Sequence, residues 1–400
     1  MAVVITGFGA CSPLGCSYAE SLDTLRSGRP CIDDIQNFPV DGYPYTAAGE
    51  IREGGEVVRT PVGVDRKLHF LERALQELSR NTDFTGRYTP SQRMLNLGTG
   101  IDYFELERVM ESRQISLDVL MKQGLYHDIG PGMKELSLRW GFGAGHHLFA
   151  SACTASAHAL GLSWRLMRRG LADAVVTGGS DSMIFPGGYL GFSALGALTG
   201  SHEPSPVKCR PCDLNSSGTV LGEASVVMLL EDAARAAGKP LAQIIGYGSS
   251  LDAYSVTDPD PSGETAAWAV REALDEAGLH PEEVDCIHLH GTGTVKCAPA
   301  EYNCLYRIFG ERLKEIPAYS MKGQVGHMIG SCTAVEMLGV VYSLQQQVVL
   351  PTVNFRTPHP EAPFRMVTGA PLRLPVKHIL KINSAFGGHN TALVFKRWEA

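Results

Sequence analysis

The sequence predicts an α/β fold with two similar halves, each with layered helices against a mostly buried central sheet. Short apolar segments alternate with segments of helical periodicity, which is typical of a sheet covered by helices. This alternation begins a second time near residue 240, so we place one half at residues 1–238 and the other at 239–400. A chain of 400 residues is long enough for two such core-forming units.

In the first half, apolar runs and helical spacing define the elements in turn. Residues 3–5 predict a strand closed by a turn at Gly7-Phe8-Gly9, and residues 172–176 a strand closed by a turn at Gly178-Gly179. The alternation of helix and strand favours a mostly parallel sheet. The other predictions here are helices at 18–27, 68–78 and 154–170, strands at 94–98 and 225–230, irregular structure at 31–63, and a cap or interface at 101–147.

The second half repeats this organisation and ends several strands in glycine-rich loops. Ligands of open α/β sheets bind where the strands end, so the loops of both halves are expected to meet at one site. The predicted strands are 243–245, 284–289, 379–383 and 391–395, and the predicted helices are 264–277, 301–309 and 333–346. Residues 318–320 follow the second of these helices without an assigned element.

Composition excludes several classes of protein. The formal net charge is −7, and no basic stripe indicates a nucleic-acid partner. No apolar run approaches the 18 or so residues of a membrane span, and the first residues do not resemble a signal peptide. We therefore expect a cytoplasmic protein, whose ten cysteines are reduced thiols.

Two short motifs suggest other functions, but each lacks residues that the function requires. Cys209 and Cys212 form a single Cys-x-x-Cys, whereas a zinc site needs four spaced ligands, so no metal is expected. Gly7-Phe8-Gly9 lacks the third glycine and the later acidic residue of a dinucleotide-binding loop.

The stretch around Cys153 is the strongest candidate for chemistry. The cysteine lies among alanines, serines and a threonine, directly before a helix expected to start at about Thr154. A helix N-terminus directs free N–H groups and positive charge at the sulfur, which favours thiolate over thiol and provides donors for an oxyanion. The alternative is a buried structural cysteine.

Three further segments bear polar or mobile groups in suitable places. His290 ends an apolar strand and opens the loop Gly291-Thr292-Gly293-Thr294; it is either catalytic or structural. Lys322 and His327 precede a helix that also carries Glu336, and they either act on anions or are a solvated lysine and a capping histidine. Phe386 precedes two glycines, as a gate would, although a core phenylalanine is the alternative.

Together these segments resemble the elongating β-ketoacyl-acyl-carrier-protein synthases, the type I/II condensing enzymes of the thiolase superfamily. A cysteine with two histidines is similar to this branch, whereas a thiolase would have a second cysteine near the C-terminus. The matching motifs are Val4-Ile5-Thr6-Gly7-Phe8-Gly9, Ser151-Ala152-Cys153, Leu221-Gly222-Glu223, His290-Gly291-Thr292-Gly293-Thr294, Lys322 with Gly326-His327, and Phe386-Gly387-Gly388.

The resemblance implies a thiolase-like fold and a two-stage acyltransferase reaction. Cys153 would take an acyl group from a carrier-protein thioester, and malonyl-carrier protein would then lose carbon dioxide and attack it. His290 and His327 would donate from Nε2 to the enolate oxygen. The remaining roles are an oxyanion hole from the N–H groups of Cys153 and Phe386, support of His327 by Lys322 paired with Glu336, and binding of the phosphopantetheine arm by Thr292 and Thr294, with no cofactor beyond that arm.

The resemblance also implies partners. These are an acyl carrier protein and a second subunit, either another copy of this chain or a related ketosynthase-like subunit that lacks the cysteine. Three local departures favour a specialised polyene or polyketide pathway over housekeeping fatty-acid elongation: Ser216-Ser217-Gly218-Thr219 in place of Arg-Asp-Gly-Phe, Ala298 in place of Asp, and Ile382-Asn383-Ser384-Ala385 in place of Asn-Ser-Phe-Gly.

Two other functions remain open at this point. A catalytically silent chain-length factor would typically lack Cys153, and a different acyl-transfer enzyme on the same fold would not need both histidines and the lysine.

Overall fold

A mixed β-sheet runs through both halves of the chain. The computed structural model describes residues 1–60, 64–104, 113, 116–122 and 126–399. Within these residues the sheet contains thirteen strands, of which ten form two sets of five. The ten are β1 Val3–Cys11, β2 Arg93–Gly98, β3 Gly145–Phe149, β4 Ala174–Ser182, β5 Leu221–Asp232, β6 Ala242–Leu251, β7 Cys286–His288, β8 Pro317–Tyr319, β9 His378–Ser384 and β10 His389–Lys396.

The two sets have the same topology. The N-terminal order is β1-β5-β4-β2-β3 and the C-terminal order is β6-β10-β9-β7-β8. In each set the first two pairings are antiparallel and the last two are parallel. The sets join where β1 pairs antiparallel with β6. The predicted fold class is confirmed, but the expectation of a mostly parallel sheet is wrong. Strands β9 and β10, for example, are separated only by residues 385–388, and so short a loop joins antiparallel neighbours.

Shorter strands complete the described structure. Asp33–Asp34, Ala47–Gly49 and Arg365–Met366 extend the main sheet. Three separate pairs are Arg52–Glu53 with Glu56–Val57, Tyr103–Phe104 with Tyr126–His127, and Val348–Val349 with Leu372–Arg373.

Helices cover the sheet and fill its centre. In the described residues the α-helices are α1 Tyr18–Ser27, α2 Arg66–Thr82, α3 Phe84–Arg87, α4 Leu117–Lys122, α5 Ile129–Arg139, α6 Ala155–Arg168, α7 Pro186–Ala194, α8 Glu264–Ala277, α9 Cys297–Phe309, α10 Lys322–Val325 and α11 Cys332–Gln346. The predicted bounds of α1 and α8 agree with the structure. Helix α2 is longer because Asp65 accepts hydrogen bonds from the backbone N–H groups of Lys67 and Leu68 and so caps an earlier start.

Both predicted glycine turns are instead parts of long strands. Strand β1 continues through Gly9 to Cys11, and β4 continues through Gly178 to Ser182. A Cβ atom on Gly9 would lie 1.8 Å from the carbonyl oxygen of Ala74 in α2. The glycine therefore lets the helix approach the strand, and no change of chain direction is needed.

Helices α6 and α11 form the buried middle layer and place the site. Helix α6 contacts strands of both halves, and residues 332–344 of α11 are all buried. The segment Ala152–Thr154 leads into α6, and Ile329–Ser331 leads into α11. The N-terminal ends of the two central helices thus bring Cys153 and His327 together.

Two other regions bear on the predictions. Residues 105–112, 114–115 and 123–125 lie outside the described residues, so a cap or interface at 101–147 stays a prediction. In the part of the chain that the structure describes, no helix combines the length and apolar character needed to cross a membrane. The ten cysteines are all free thiols, and Cys209 and Cys212 are both buried.

Candidate active site

Cys153 lies at a sharp corner between β3 and α6. Ala152, immediately before it, has a φ of 47°, a left-handed conformation that is strained for a residue with a Cβ atom. The sulfur is buried, and the backbone N–H groups of Cys153 and Phe386 both point at it. These donors and the charge of Lys322 lower the pKa of the thiol, but burial outweighs them and raises it to about 12. The expectation that the helix end favours a thiolate is therefore wrong for the resting site, because desolvation dominates.

His327 is the nearest ionisable side chain to the sulfur. Its Nε2 lies 3.1 Å from the Sγ atom of Cys153. On its other side, Nδ1 lies 2.8 Å from the thiol of Cys332 and accepts a hydrogen bond from the backbone N–H of Ile329 at 3.4 Å. Both neighbours are donors, so Nδ1 is the acceptor and the proton is on Nε2, directed at the sulfur.

His290 faces the same space from the end of β7. The side-chain amide of Asn383 lies 3.3 Å from its Nδ1, which also leaves Nε2 as the donor. The carboxylate of Glu301 accepts the backbone N–H groups of His290 and Gly291 and fixes the turn. The rings of His290 and His327 are 5.6 Å apart at 84°. Burial, reinforced by the charge of Lys322, holds the pKa of both histidines well below 6.5, so both are neutral at pH 7.

Lys322 and Glu336 lie directly behind the two histidines. The Nζ atom of Lys322 is 2.6 Å from Oε1 of Glu336, as the resemblance implies. The same Nζ donates to the carbonyl oxygen of His290 at 2.6 Å. The support of the lysine thus goes to the backbone of His290, whereas the expected contact was with His327. The ring of His327 is held by Cys332 and Ile329.

Sequence reasoning missed a second lysine in this cluster. Lys381 on β9 is fully buried, and its Nζ lies 2.9 Å from Oε2 of Glu336. The signal was available, since a single charged residue interrupts the apolar run Ile379-Leu380-Lys381-Ile382. Asn383, which orients His290, and Cys332, which contacts His327, carry no comparable signal.

The remaining predicted residues line one cavity. It opens to solvent, and the empty space between its walls, with part of that solvent included, is about 880 Å³. Its walls include Cys153, His290, His327, Thr292, Thr294 and Phe386. The hydroxyl oxygens of Thr292 and Thr294 are 2.8 Å apart.

Phe386 lies on the short loop between β9 and β10, over the cavity. Its half-buried ring stacks on that of Phe192, with centroids 6.2 Å apart. Gly387 and Gly388 have φ values of 81° and 80°, a left-handed conformation that favours glycine. The N–H of Gly387 donates to the carbonyl oxygen of Val256 at 2.7 Å, and the carbonyl oxygen of Gly388 accepts from the N–H of Asp252 at 2.8 Å, so two backbone hydrogen bonds tether the loop.

Close backbone contacts hold the pieces of the site together. A Cβ atom on Gly98 would lie 2.1 Å from the backbone nitrogen of Ser156 in α6, and one on Gly330 would lie 2.2 Å from the carbonyl carbon of Thr99. The N–H of Gly330 also donates to the buried carboxylate of Asp181 at 2.7 Å. The backbone segments that carry Cys153 and His327 therefore pack directly against neighbouring backbone, with no side chain between them.

The three central side chains could in principle hold a metal ion. The ligand atoms of Cys153, His290 and His327 lie within 4.8 Å of one another. Two features disfavour this use. Both Nε2 atoms carry the proton, so they have no free lone pair, and the ammonium groups of Lys322 and Lys381 lie close behind the rings.

Comparisons with known proteins cover nearly the whole chain. Residues 1–236 match the N-terminal domain of the beta-ketoacyl synthase family, and residues 241–356 match its C-terminal domain. A 3-oxoacyl-(acyl-carrier-protein) synthase 2 of Staphylococcus aureus strain COL is 29% identical over 411 residues, covering 100% of this chain and 99% of the relative. The enzyme of the same name from Synechocystis is 29% identical over 416 residues, covering 99% and 98%.

Solved structures give the same result for the fold. A beta-ketoacyl synthase from Burkholderia phymatum superposes with a TM-score of 0.86 at 25% identity, covering 100% of both chains. A chain from a type II polyketide complex of an acyl-carrier protein with its ketosynthase has a TM-score of 0.88 at 23% identity, covering 100% of this chain and 99% of that one. With the family's domains matched over most of its length, this chain belongs to the beta-ketoacyl synthase family.

Proposed function

We propose that this chain is a β-ketoacyl-acyl-carrier-protein synthase, in which Cys153 carries the acyl group and His290 and His327 promote decarboxylative condensation with malonyl-carrier protein. The observation that carries the proposal is the convergence of two neutral imidazoles on one buried sulfur. In this assignment residues 1–238 supply the nucleophile and residues 239–400 supply both histidines.

The first stage is transfer of the acyl group to sulfur. The sulfur of Cys153 attacks the thioester carbonyl of the acyl-carrier protein, and the carbonyl oxygen takes negative charge. The two N–H groups that point at the sulfur, those of Cys153 and Phe386, are placed to bind that oxygen. The phosphopantetheine thiolate leaves and takes up the proton that the thiol of Cys153 lost. Because burial raises the pKa of that thiol to about 12, it stays protonated until the thioester carbonyl is in place for attack.

The second stage is formation and capture of an enolate. The carbon–carbon bond to the malonyl carboxylate breaks, carbon dioxide departs, and the electron pair moves onto the thioester oxygen. The Nε2–H groups of His290 and His327 donate to this oxygen, and neither histidine has to change its protonation state. The enolate carbon then attacks the acyl thioester, the carbon–sulfur bond to Cys153 breaks, and the released thiolate takes up a proton from solvent.

The substrates reach the site on a phosphopantetheine arm. Thr292 and Thr294 are assigned to this arm, because their hydroxyl groups line the cavity that leads to Cys153. The arm is part of the substrate, so no separate cofactor is proposed.

A carrier protein and a second subunit are the proposed partners. Solved relatives include a ketosynthase with its acyl-carrier protein and ketosynthases with a chain length factor. In this chain β3 is the last strand at its end of the described sheet, and it leaves a row of backbone groups for pairing. We propose that β3 pairs with a second subunit, either a copy of this chain or a related one without the cysteine.

A specialised polyene or polyketide pathway is the proposed setting, and housekeeping fatty-acid elongation is the alternative. Support comes from the three departures, at residues 216–219, at Ala298 and at residues 382–385, none of which removes a reacting group. Of these, Thr219 and residues 382–385 line the cavity. The named relatives of both kinds are distant, at 23–29% identity. A panel of carrier proteins from both types of pathway distinguishes the two.

Intact-protein mass spectrometry with such a panel tests the function. We expect a mass increase equal to one acyl group, on Cys153 by peptide mapping, and none in Cys153→Ala. An acyl group on another cysteine would overturn the assignment. No acylation by any acyl-carrier protein, from a protein that melts normally, would overturn the function.

A further inference from the structure

Lys381 is a fully buried charged residue to which the function proposed above gives no role. Lys381 lies in the middle of β9, and its side chain has no exposed surface. Its Nζ is bound to Glu336 at 2.9 Å and donates to the carbonyl oxygens of Ile382 at 2.7 Å and Leu289 at 3.3 Å. Burying an ammonium group costs several kcal/mol, so a lysine here requires compensation that an apolar residue would not need.

The ammonium groups outnumber the carboxylates in the ion pairs around Lys381. Glu336 is held between two ammonium groups, Lys322 on Oε1 and Lys381 on Oε2. Within this triad positive charge exceeds negative charge by one, and the carboxylate of Glu301 offsets that excess through space. Glu301 is the other carboxylate that acts on Lys381, and both of its oxygens are occupied by backbone N–H groups of the turn at His290. The ionisable groups that face this cluster are Glu336 and Cys332 on α11, Lys322 on α10, Glu301 on α9, His288 and His290 at the end of β7, and His327 before α11.

We propose that Lys381 is a positioning residue for the condensation: its buried ammonium group keeps the imidazoles of His290 and His327 neutral and adds positive charge behind the point where the enolate forms. This inference rests on the proposed function. Lys381 does not touch the substrate cavity, so it acts through Glu336 and through the two histidines.

The first consequence concerns the histidines. The charge of Lys381 lowers the pKa of His290 and of His327, although burial and Lys322 contribute more and Glu336 opposes it at His327. Without it, both imidazoles would take up a proton at a higher pH. A protonated imidazolium still donates from Nε2, but it must also find an acceptor at Nδ1, where Asn383 or Cys332 now donates. The activity would therefore fall at a higher pH on the acid side.

The second consequence concerns Lys381 itself. Burial lowers its pKa to about 8, although Glu336 acts in the opposite direction. The group is charged below that pH and neutral above it. Loss of the proton leaves only the neutral pair of Lys322 and Glu336, so the support for the enolate should fall as the pH rises through about 8.

Two substitutions separate these effects. Lys381→Met keeps the length of the side chain and removes its charge at every pH. Lys381→Arg keeps a charge that does not titrate below about pH 12. The assay is release of carbon dioxide from malonyl-carrier protein, measured from pH 5 to pH 10 in a Cys153→Ala background, so that titration of the thiol does not contribute.

The two variants have different expected profiles. The Lys381→Met protein should decarboxylate about tenfold more slowly at pH 7, lose the alkaline fall, and have its acid limb shifted up by about one unit. The Lys381→Arg protein should lose the alkaline fall only. A Lys381→Met profile that superposes on that of the parent overturns the proposal.

A measurement of stability keeps the test independent of activity and of the proposed function. The unfolded chain keeps the lysine proton up to about pH 10.4, whereas the folded protein loses it near pH 8. Relative to Lys381→Met, the native sequence should therefore gain stability in urea between pH 8 and pH 10. If the two curves run parallel, Lys381 does not titrate and the alkaline limb has another origin. If the parent protein releases no carbon dioxide at any pH, the proposed function fails, while the stability series still shows whether Lys381 titrates.

Discussion

Phe386 provides the most direct test of whether the cavity has a moving gate. A fully buried phenylalanine replaced by alanine costs about 3–5 kcal/mol of unfolding free energy. The ring of Phe386 is only half-buried, and its aromatic partner is Phe192 at 6.2 Å. Part of that packing cost, about 2 kcal/mol, is therefore expected for Phe386→Ala, including about 1 kcal/mol for the ring pair. For a chain of 400 residues that corresponds to a decrease in Tm of about 2–3 °C.

If Phe386 is a gate, replacing it should reduce activity in a way that lost packing does not explain. Gly387 and Gly388, with φ values of 81° and 80°, can absorb the rotation that swings the ring away. In Phe386→Ala we expect slower acyl transfer to Cys153, while decarboxylation per folded molecule stays near normal. Rapid quench and mass spectrometry measure the rate of acyl transfer. Phe192→Ala is the control, because it removes the same ring contact and leaves the gate residue in place. A Tm loss of about 4–6 °C, which is the full packing cost, with unchanged acyl transfer would refute the gate and make Phe386 a packing residue.

Three further outcomes are expected. His290→Ala and His327→Ala should each slow decarboxylation about 100- to 1000-fold while acyl transfer to Cys153 continues in part; normal elongation by either variant would refute the two-histidine mechanism. Glu336→Gln should lower the unfolding free energy by about 3–5 kcal/mol at pH 7, because it leaves two buried ammonium groups without a carboxylate. The pKa of the Glu336 carboxyl is depressed in the folded native protein, which therefore loses stability as this group is protonated. The difference in unfolding free energy between the native protein and the variant should shrink as the pH falls below about 4 in urea titrations. Light scattering should give a dimer, and a stable, active monomer would contradict pairing through β3.

Much of the fold could be predicted because periodicity and capping are local properties. Helix α8 begins and ends where its apolar spacing predicted, and the doubling of the α/β pattern corresponds to two sets of five strands with one topology. Strand direction could not be predicted in the same way, since it depends on which strands become neighbours. Gly9 and Gly178 were mistaken for turns because a glycine that admits a neighbouring helix or strand has the same local signature as one that bends the chain.

The same contrast between local and long-range properties applies to the candidate site. Cys153, His290 and His327 could be identified from the short motifs around them, and the structure brings them to one cavity. The ionisation of Cys153 could not be predicted, because the burial that raises its pKa comes from both halves of the molecule. Lys381 escaped notice for a related reason. Its partner Glu336 is 45 positions earlier in the sequence, on a different element.

The close backbone contacts at Gly98 and Gly330 have a consequence for laboratory evolution of this protein. At each position an added methyl group would press on backbone atoms of another segment, which cannot rotate away as a side chain can. Saturation libraries aimed at acyl-chain preference should therefore spare these glycines and vary the cavity wall at Phe192 and Ala197, where side chains meet empty space. The tolerant and intolerant positions lie within one small site, so a deep mutational scan should show sharp boundaries between neighbouring residues.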